Sequence, residues 1–130
     1  MSGEHYPVLW IGRTAVVSVP AEIDITNADQ VREDLLSVLN QGAALLIADL
    51  SKTTFCDSAG VSALARSFRR AEASQSDMRL VVSTLAVQRV LGLTGIDRLL
   101  GIYPSVTASL AAWPDSGNAA AAVDTDGGAA

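Results

Sequence analysis

The apolar positions of this chain fall into short runs whose period changes along the sequence. Tyr6 to Trp10 and Thr14 to Val19 are apolar stretches on either side of Gly12-Arg13, a spacing that predicts two strands joined by a hairpin turn. Pro20, which has no backbone donor, closes the second. Ala28, Val31, Leu35, Val38 and Leu39 then recur three and four residues apart, with Gln30, Arg32, Glu33 and Asp34 off that face. This predicts a helix opened by Thr26 or Asn27 and ended by Asn40-Gln41-Gly42, with Gly42 left-handed. Ala43 to Ala48 is apolar without alternation, the pattern of a strand covered on both faces inside a mostly parallel sheet.

Asp49 to Thr54 reads as a polar connection and Phe55-Cys56 as a brief apolar return. From Ser58, a second helix carries Val61, Leu64, Ala65, Phe68 and Ala71 on one face, with Ser62, Arg66, Arg69 and Arg70 mostly off it. After a polar turn over Ala73 to Asp77, Met78 to Ser83 reads as a strand. Leu85, Val87, Val90 and Leu91 indicate a third, short helix that Gly92 weakens and Gly95 closes. Ile96 to Tyr103 is expected to be a last strand, and Pro104-Ser105 to open a final helix with Val106, Leu110 and Trp113. Strands alternating with helices in this way predict an α/β sandwich, with helices over a mixed sheet containing at least one parallel βαβ unit.

Composition narrows the choices. With 130 residues, 49% of them hydrophobic and 18% charged, the chain has room for one domain and enough apolar surface for a packed core. The net charge of −5 is unevenly placed: Asp115, Asp124 and Asp126 follow Pro114, and eleven acids against nine bases precede it. That balance argues against direct nucleic-acid binding, which needs clustered Lys and Arg. Residues 1–113 are expected to hold the domain, with its folded part from about residue 6. Residues 114–130, with six Ala and three Gly, are expected to be a disordered acidic tail. No apolar run approaches the roughly 18 residues that span a bilayer, and the first residues lack a signal-peptide pattern. One cysteine forms no intramolecular disulfide, so the expectation is a cytoplasmic protein without membrane association.

The chemistry concentrates at Phe55-Cys56-Asp57-Ser58-Ala59-Gly60, where a polar loop meets an amphipathic helix. On one reading, Asp57 or Ser58 simply caps the helix and Ala59-Gly60 allows close packing. On the other, the Ser58 hydroxyl is a modification site, since unpaired amides at a helix start stabilise an anion. Phosphorylation there would add about −1.5 to −2 charges beside Asp57 and repel an acidic partner patch. Cys56 reads either as a small buried residue or as a redox gate whose oxidation disturbs the surface beside Ser58. The single histidine, His5, sits in what is expected to be a frayed N-terminus, which argues against a histidine triad or a multi-histidine metal site. Arg66, Arg69 and Arg70 read as a solvated helix face able to meet an acidic partner.

Asp57-Ser58-Ala59-Gly60, followed by Val61 and Leu64, is similar to the signature of the STAS domain, and in particular to bacterial anti-sigma factor antagonists. Ala21-Glu22-Ile23-Asp24 resembles the family's Gly-Glu-hydrophobic-Asp. Asp49-Leu50-Ser51 matches its Asp-Leu-Ser, and Leu91 to Asp97 resembles its late Leu-x-hydrophobic-Thr-Gly-hydrophobic-Asp segment. The four motifs occur in the family's order across nearly the whole folded unit. The resemblance implies a STAS-like sandwich with a mixed, mostly parallel sheet of four to five strands and about four helices. It also implies a non-enzymatic switch without cofactor or metal. In that switch the unphosphorylated protein binds an anti-sigma factor of the serine kinase type and frees a sigma factor. Phosphorylation at Ser58 blocks binding, and a serine phosphatase restores it. The implied partner surface comprises Asp24, Asp57, Ser58, Ala59, Gly60 and Ser62. Ala21 departs from the motif glycine, Ala59 stands where many relatives carry a second serine, and the tail lies outside the pattern.

Two rival readings remain. An enzyme using Ser58 or Asp57 as nucleophile, such as a hydrolase, lacks a histidine or nearby lysine as base; neither the phosphate-binding loop nor the dinucleotide glycine pattern occurs. A STAS subunit of a lipid-transport or stress-signalling complex is the other.

Overall fold

Read from the N-terminus, the computed structural model, which describes residues 5–112, runs β1 (Val8–Ile11), β2 (Thr14–Ser18), β3 (Glu22–Ile23), α1 (Ala28–Asn40), β4 (Leu45–Leu50), β5 (Phe55–Cys56), α2 (Ser58–Ala73), β6 (Asp77–Val82), α3 (Leu85–Thr94), β7 (Gly101–Tyr103) and α4 (Val106–Ala111). The expected tail and Trp113 lie outside the described residues. Five strands form the main sheet in the order β1-β2-β4-β6-β7, and β3 pairs with β5 in a separate two-stranded sheet. Among the described residues only the β1–β2 hairpin is antiparallel, turning at Gly12 with φ +59°; β2, β4, β6 and β7 run parallel.

Register decides which side chains share a face. Ala15 and Val17 of β2 align with Leu46 and Ala48 of β4, and Ala48 with Leu80 of β6. These face Val31, Leu35 and Val38 of α1, Leu64 of α2 and Leu91 of α3 in the main core. Val16, Leu45, Ile47 and Val81 point the other way, against Val106 and Leu110 of α4. Leu45, Leu46, Ile47 and Ala48 are each 0% exposed, which is why β4 carries an unbroken apolar run instead of alternation.

The turn chemistry follows expectation at Gly42 and Gly95, with φ of +97° and +82°. Thr84 and Ser105 cap α3 and α4 through the Val87 and Ala108 amides. Four expectations need correction. β4 extends through Asp49 and Leu50, because the strand continues pairing with β6 as far as Leu50↔Val82. Ile96 to Tyr103 is not one strand: Ile96–Arg98 forms a 3-10 turn that buries Ile96, and only Gly101–Tyr103 joins the sheet. Asn27 precedes α1 without capping it, because its side chain accepts from Asp24 N and donates to the Glu22 carbonyl. Asp34 is buried, and its carboxylate accepts from His5 Nδ1 at 2.8 Å, Tyr6 N at 2.7 Å and Gln30 Nε2 at 2.7 Å. His5 is therefore tied to α1 rather than frayed.

Candidate functional site

The two-stranded sheet builds the site. Glu22 pairs with Phe55 and Ile23 with Cys56, so the chain leaves β3 at Asp24 beside the point where it leaves β5 at Asp57. The Asp57 amide donates to the Ile23 carbonyl at 3.1 Å, fixing the two exits together. Behind them, Thr53 is buried and donates its hydroxyl to the Pro20 carbonyl at 2.8 Å, while Thr54 N donates to the Ala21 carbonyl at 2.8 Å. The only non-glycine residue with positive φ among the described residues is Gln75, so Ala21 fits its turn without the freedom of a glycine.

Asp57 is extended (φ −94°, ψ −172°), and its Oδ1 accepts from the Ala59 and Gly60 amides at 2.9 and 3.1 Å. That is helix capping in full, and it settles which residue caps. Ser58 is left as the first helical residue, exposed, with no hydrogen bond to its hydroxyl among the described residues. Ser62 is exposed one turn further on, and Ala59 is half-buried between them. Gly60 is buried and offers no contact surface: a Cβ there would lie 2.6 Å from Cys56 Sγ and 2.8 Å from Ile23 Cγ2. Its part is to let α2 approach the small sheet.

Asp24 is half-buried, and its carboxylate accepts from both the backbone amide and the hydroxyl of Thr26. The Thr26 hydroxyl, then its amide, holds the Asp24 carboxyl below the usual carboxylate range. The Asp24 carbonyl takes the Asn27 and Ala28 amides at 3.1 and 2.9 Å, so the same residue starts α1. Cys56 is 3% exposed, and burial followed by the charge of Asp57 pushes its thiol up to about 11. Burial and a raised pKa keep the thiol protonated at neutral pH, which favours the packing reading of Cys56 over the redox gate.

The segments that enter and leave the small sheet also carry exposed apolar side chains, which the sequence pattern does not single out. Phe55 is 50% exposed and Ile25 is 79% exposed. Thr84 Oγ1 donates to the Thr53 carbonyl, which brings the start of α3 and its exposed Leu85 beside the loop leading to Phe55. The site is thus a surface, with an exposed hydroxyl at the start of α2, two carboxylates at the exits of the small sheet, and exposed apolar side chains on the same segments. Among the described residues no group of His, Cys, Asp and Glu could hold a metal, and no helix is long and apolar enough to cross a membrane.

The family model for the STAS domain matches residues 7–109. A solved anti-sigma factor antagonist from Mycobacterium paratuberculosis is 28% identical with a TM-score of 0.78, covering 85% of this chain and 93% of its own. The anti-sigma factor antagonist SpoIIAA in its unphosphorylated form is 21% identical with a TM-score of 0.70, covering 81% and 92%. The Bacillus cell fate determinant SpoIIAA in its phosphorylated form is 20% identical with a TM-score of 0.64, covering 82% and 96%.

Proposed function

Because the chain belongs to the STAS domain family, we propose that it is an anti-sigma factor antagonist switched by phosphorylation of Ser58. The observation that carries this reading is the division of labour at the start of α2. Asp57 satisfies the helix amides, so the Ser58 hydroxyl is exposed and uncommitted. A phosphoacceptor needs no base of its own, because the kinase supplies it, and no rearrangement of the fold is needed to present it.

In this reading the unphosphorylated protein docks an anti-sigma factor of the serine kinase type through Asp24, Asp57, Ser58, Ala59 and Ser62. Phe55 and Ile25 add the apolar area that the polar residues lack. A phosphate on Ser58 adds about −1.5 to −2 charges next to two carboxylates. The positive end of the α2 dipole favours the anion within the protein itself, so the penalty falls on the partner, through repulsion and bulk. A serine phosphatase resets the switch. The chain then works in transcription regulation without performing catalysis.

The test is calorimetry against a purified anti-sigma kinase with wild type, Ser58→Ala and Ser58→Glu. Binding by Ser58→Ala and at least tenfold weaker binding by Ser58→Glu support the switch. Equal affinity of all three contradicts it.

A further inference from the structure

The edge strand β1 is built unlike a protected edge. Its four residues, Val-Leu-Trp-Ile, are all apolar and all exposed: Val8 39%, Leu9 59%, Trp10 39% and Ile11 46%. It contains no charge and no proline, the devices that keep sheet edges from pairing. The opposite edge, β7, is only three residues long and ends at Pro104. There the Tyr103 ring lies across Gly101, leaving 2.9 Å between Tyr103 Cε1 and the place a Cβ would occupy.

Ladder geometry shows what β1 offers. Val8 aligns with Val17, and the Ser18 amide donates to the Pro7 carbonyl at 3.0 Å. Hydrogen-bonded pairs alternate in an antiparallel ladder, so Pro7, Leu9 and Ile11 are bonded to β2, while Val8 and Trp10 turn their N–H and C=O groups outward. Pro7 therefore costs the outer edge no donor. Val8 and Trp10 also line a cavity of about 250 Å³ with Asp34 and Val38 of α1. Leu9 and Ile11 continue the other face, where Leu9 aligns with the buried Val16.

We propose that β1 is a self-association edge: two copies of this chain pair β1 to β1, antiparallel, about a twofold axis through Leu9. The strand is its own complement in this register. Val8 of one copy exchanges both backbone bonds with Trp10 of the second, and the same pair recurs across the axis, as an isologous contact requires. Trp10 covers Val8 of the second copy, an aromatic on β-branched cross-strand pair, and Leu9 meets Leu9. Both apolar faces then continue into a ten-stranded sheet. Four half-exposed side chains amount to several hundred Å² per copy, below the roughly 800 Å² per partner of a standard interface, so the dimer is weak and reversible. It leaves Ser58 free, since α2 begins at the small sheet and not at this edge.

The experiment is sedimentation of the full chain over a wide concentration range, together with cysteine cross-linking. The weight-average mass of wild type should rise toward twice that of the monomer with concentration, and Leu9→Lys should hold it at the monomer. Leu9→Cys should cross-link rapidly under mild oxidation, because residues facing each other across the axis lie about 4.5 Å apart at Cα. Ile11→Cys should not, because its two copies stand about 13 Å apart along the strands. A wild-type chain that stays monomeric throughout, association insensitive to Leu9→Lys, or equal cross-linking at both positions overturns the proposal. So does slow amide exchange at Val8 and Trp10 in a monomer, which would mean that another segment covers the edge.

Discussion

Gly60 and Cys56 stand so close that any side chain at Gly60 collides with the thiol, 2.6 Å separating Sγ from the position of a Cβ. This contact sets how near α2 lies to the β3–β5 pair, and hence where Ser58 emerges. Gly60→Ala is therefore predicted to destabilise the fold by about 1–3 kcal/mol, the cost of overpacking a filled core. Urea denaturation measures it. Adding Cys56→Ala should recover part of the loss but not all, because Ile23 Cγ2 stands 2.8 Å from the same position.

Asp57 and Ser58 are neighbours with separate duties, and mutation should separate them. Asp57→Ala removes the acceptor for two amides and is predicted to cost about 1 kcal/mol of stability. Asp57→Asn, still a good cap, should cost much less. Ser58→Ala should leave the denaturation midpoint nearly unchanged, since its hydroxyl supports nothing among the described residues.

The helices were legible in the sequence because α1, α2 and α3 each run long enough for a three-and-four spacing to show. So was the buried run of β4. The two-residue strands β3 and β5 were not, since a pairing that short has no period, and yet these strands place Asp24 beside Asp57. Asp34 looks solvent-facing from its helical spacing because its burial depends on His5 and Tyr6, some 28 residues away, folding back onto α1. Ser58 was recognisable as the start of a helix. That Asp57 takes the capping bonds and frees it was a matter of geometry, as was the exposure of Phe55 and Ile25, which looked like any other apolar residues.

Asp34 supplies a test of that hidden long-range tie. Asp34→Ala leaves the Tyr6 amide and the Gln30 side chain without their acceptor, and a loss of about 1–3 kcal/mol is predicted, as for other abandoned buried partners. Amide exchange should accelerate at Tyr6. Asp34→Asn keeps one oxygen as an acceptor and should lose less on both measures.

The thiol of Cys56 gives a pH signature. Its folded value is raised to about 11 from an ordinary 9.0, so between these the unfolded chain has released a proton that the native state retains. Stability must then fall as pH rises through that window. Thermal melts of wild type from pH 8 to 11 should show the decline, and Cys56→Ala should remove this contribution. At neutral pH the native thiol should resist alkylation, reacting only on unfolding.

The central claim is that one hydroxyl, Ser58, receives the phosphate. Incubation of the full chain with an anti-sigma kinase and ATP, followed by peptide mapping by mass spectrometry, tests it most directly. A single phosphate is expected on the peptide containing Ser58, and none on Ser58→Ala. Phosphate on Ser62, Thr26 or another residue while Ser58 stays unmodified would contradict it.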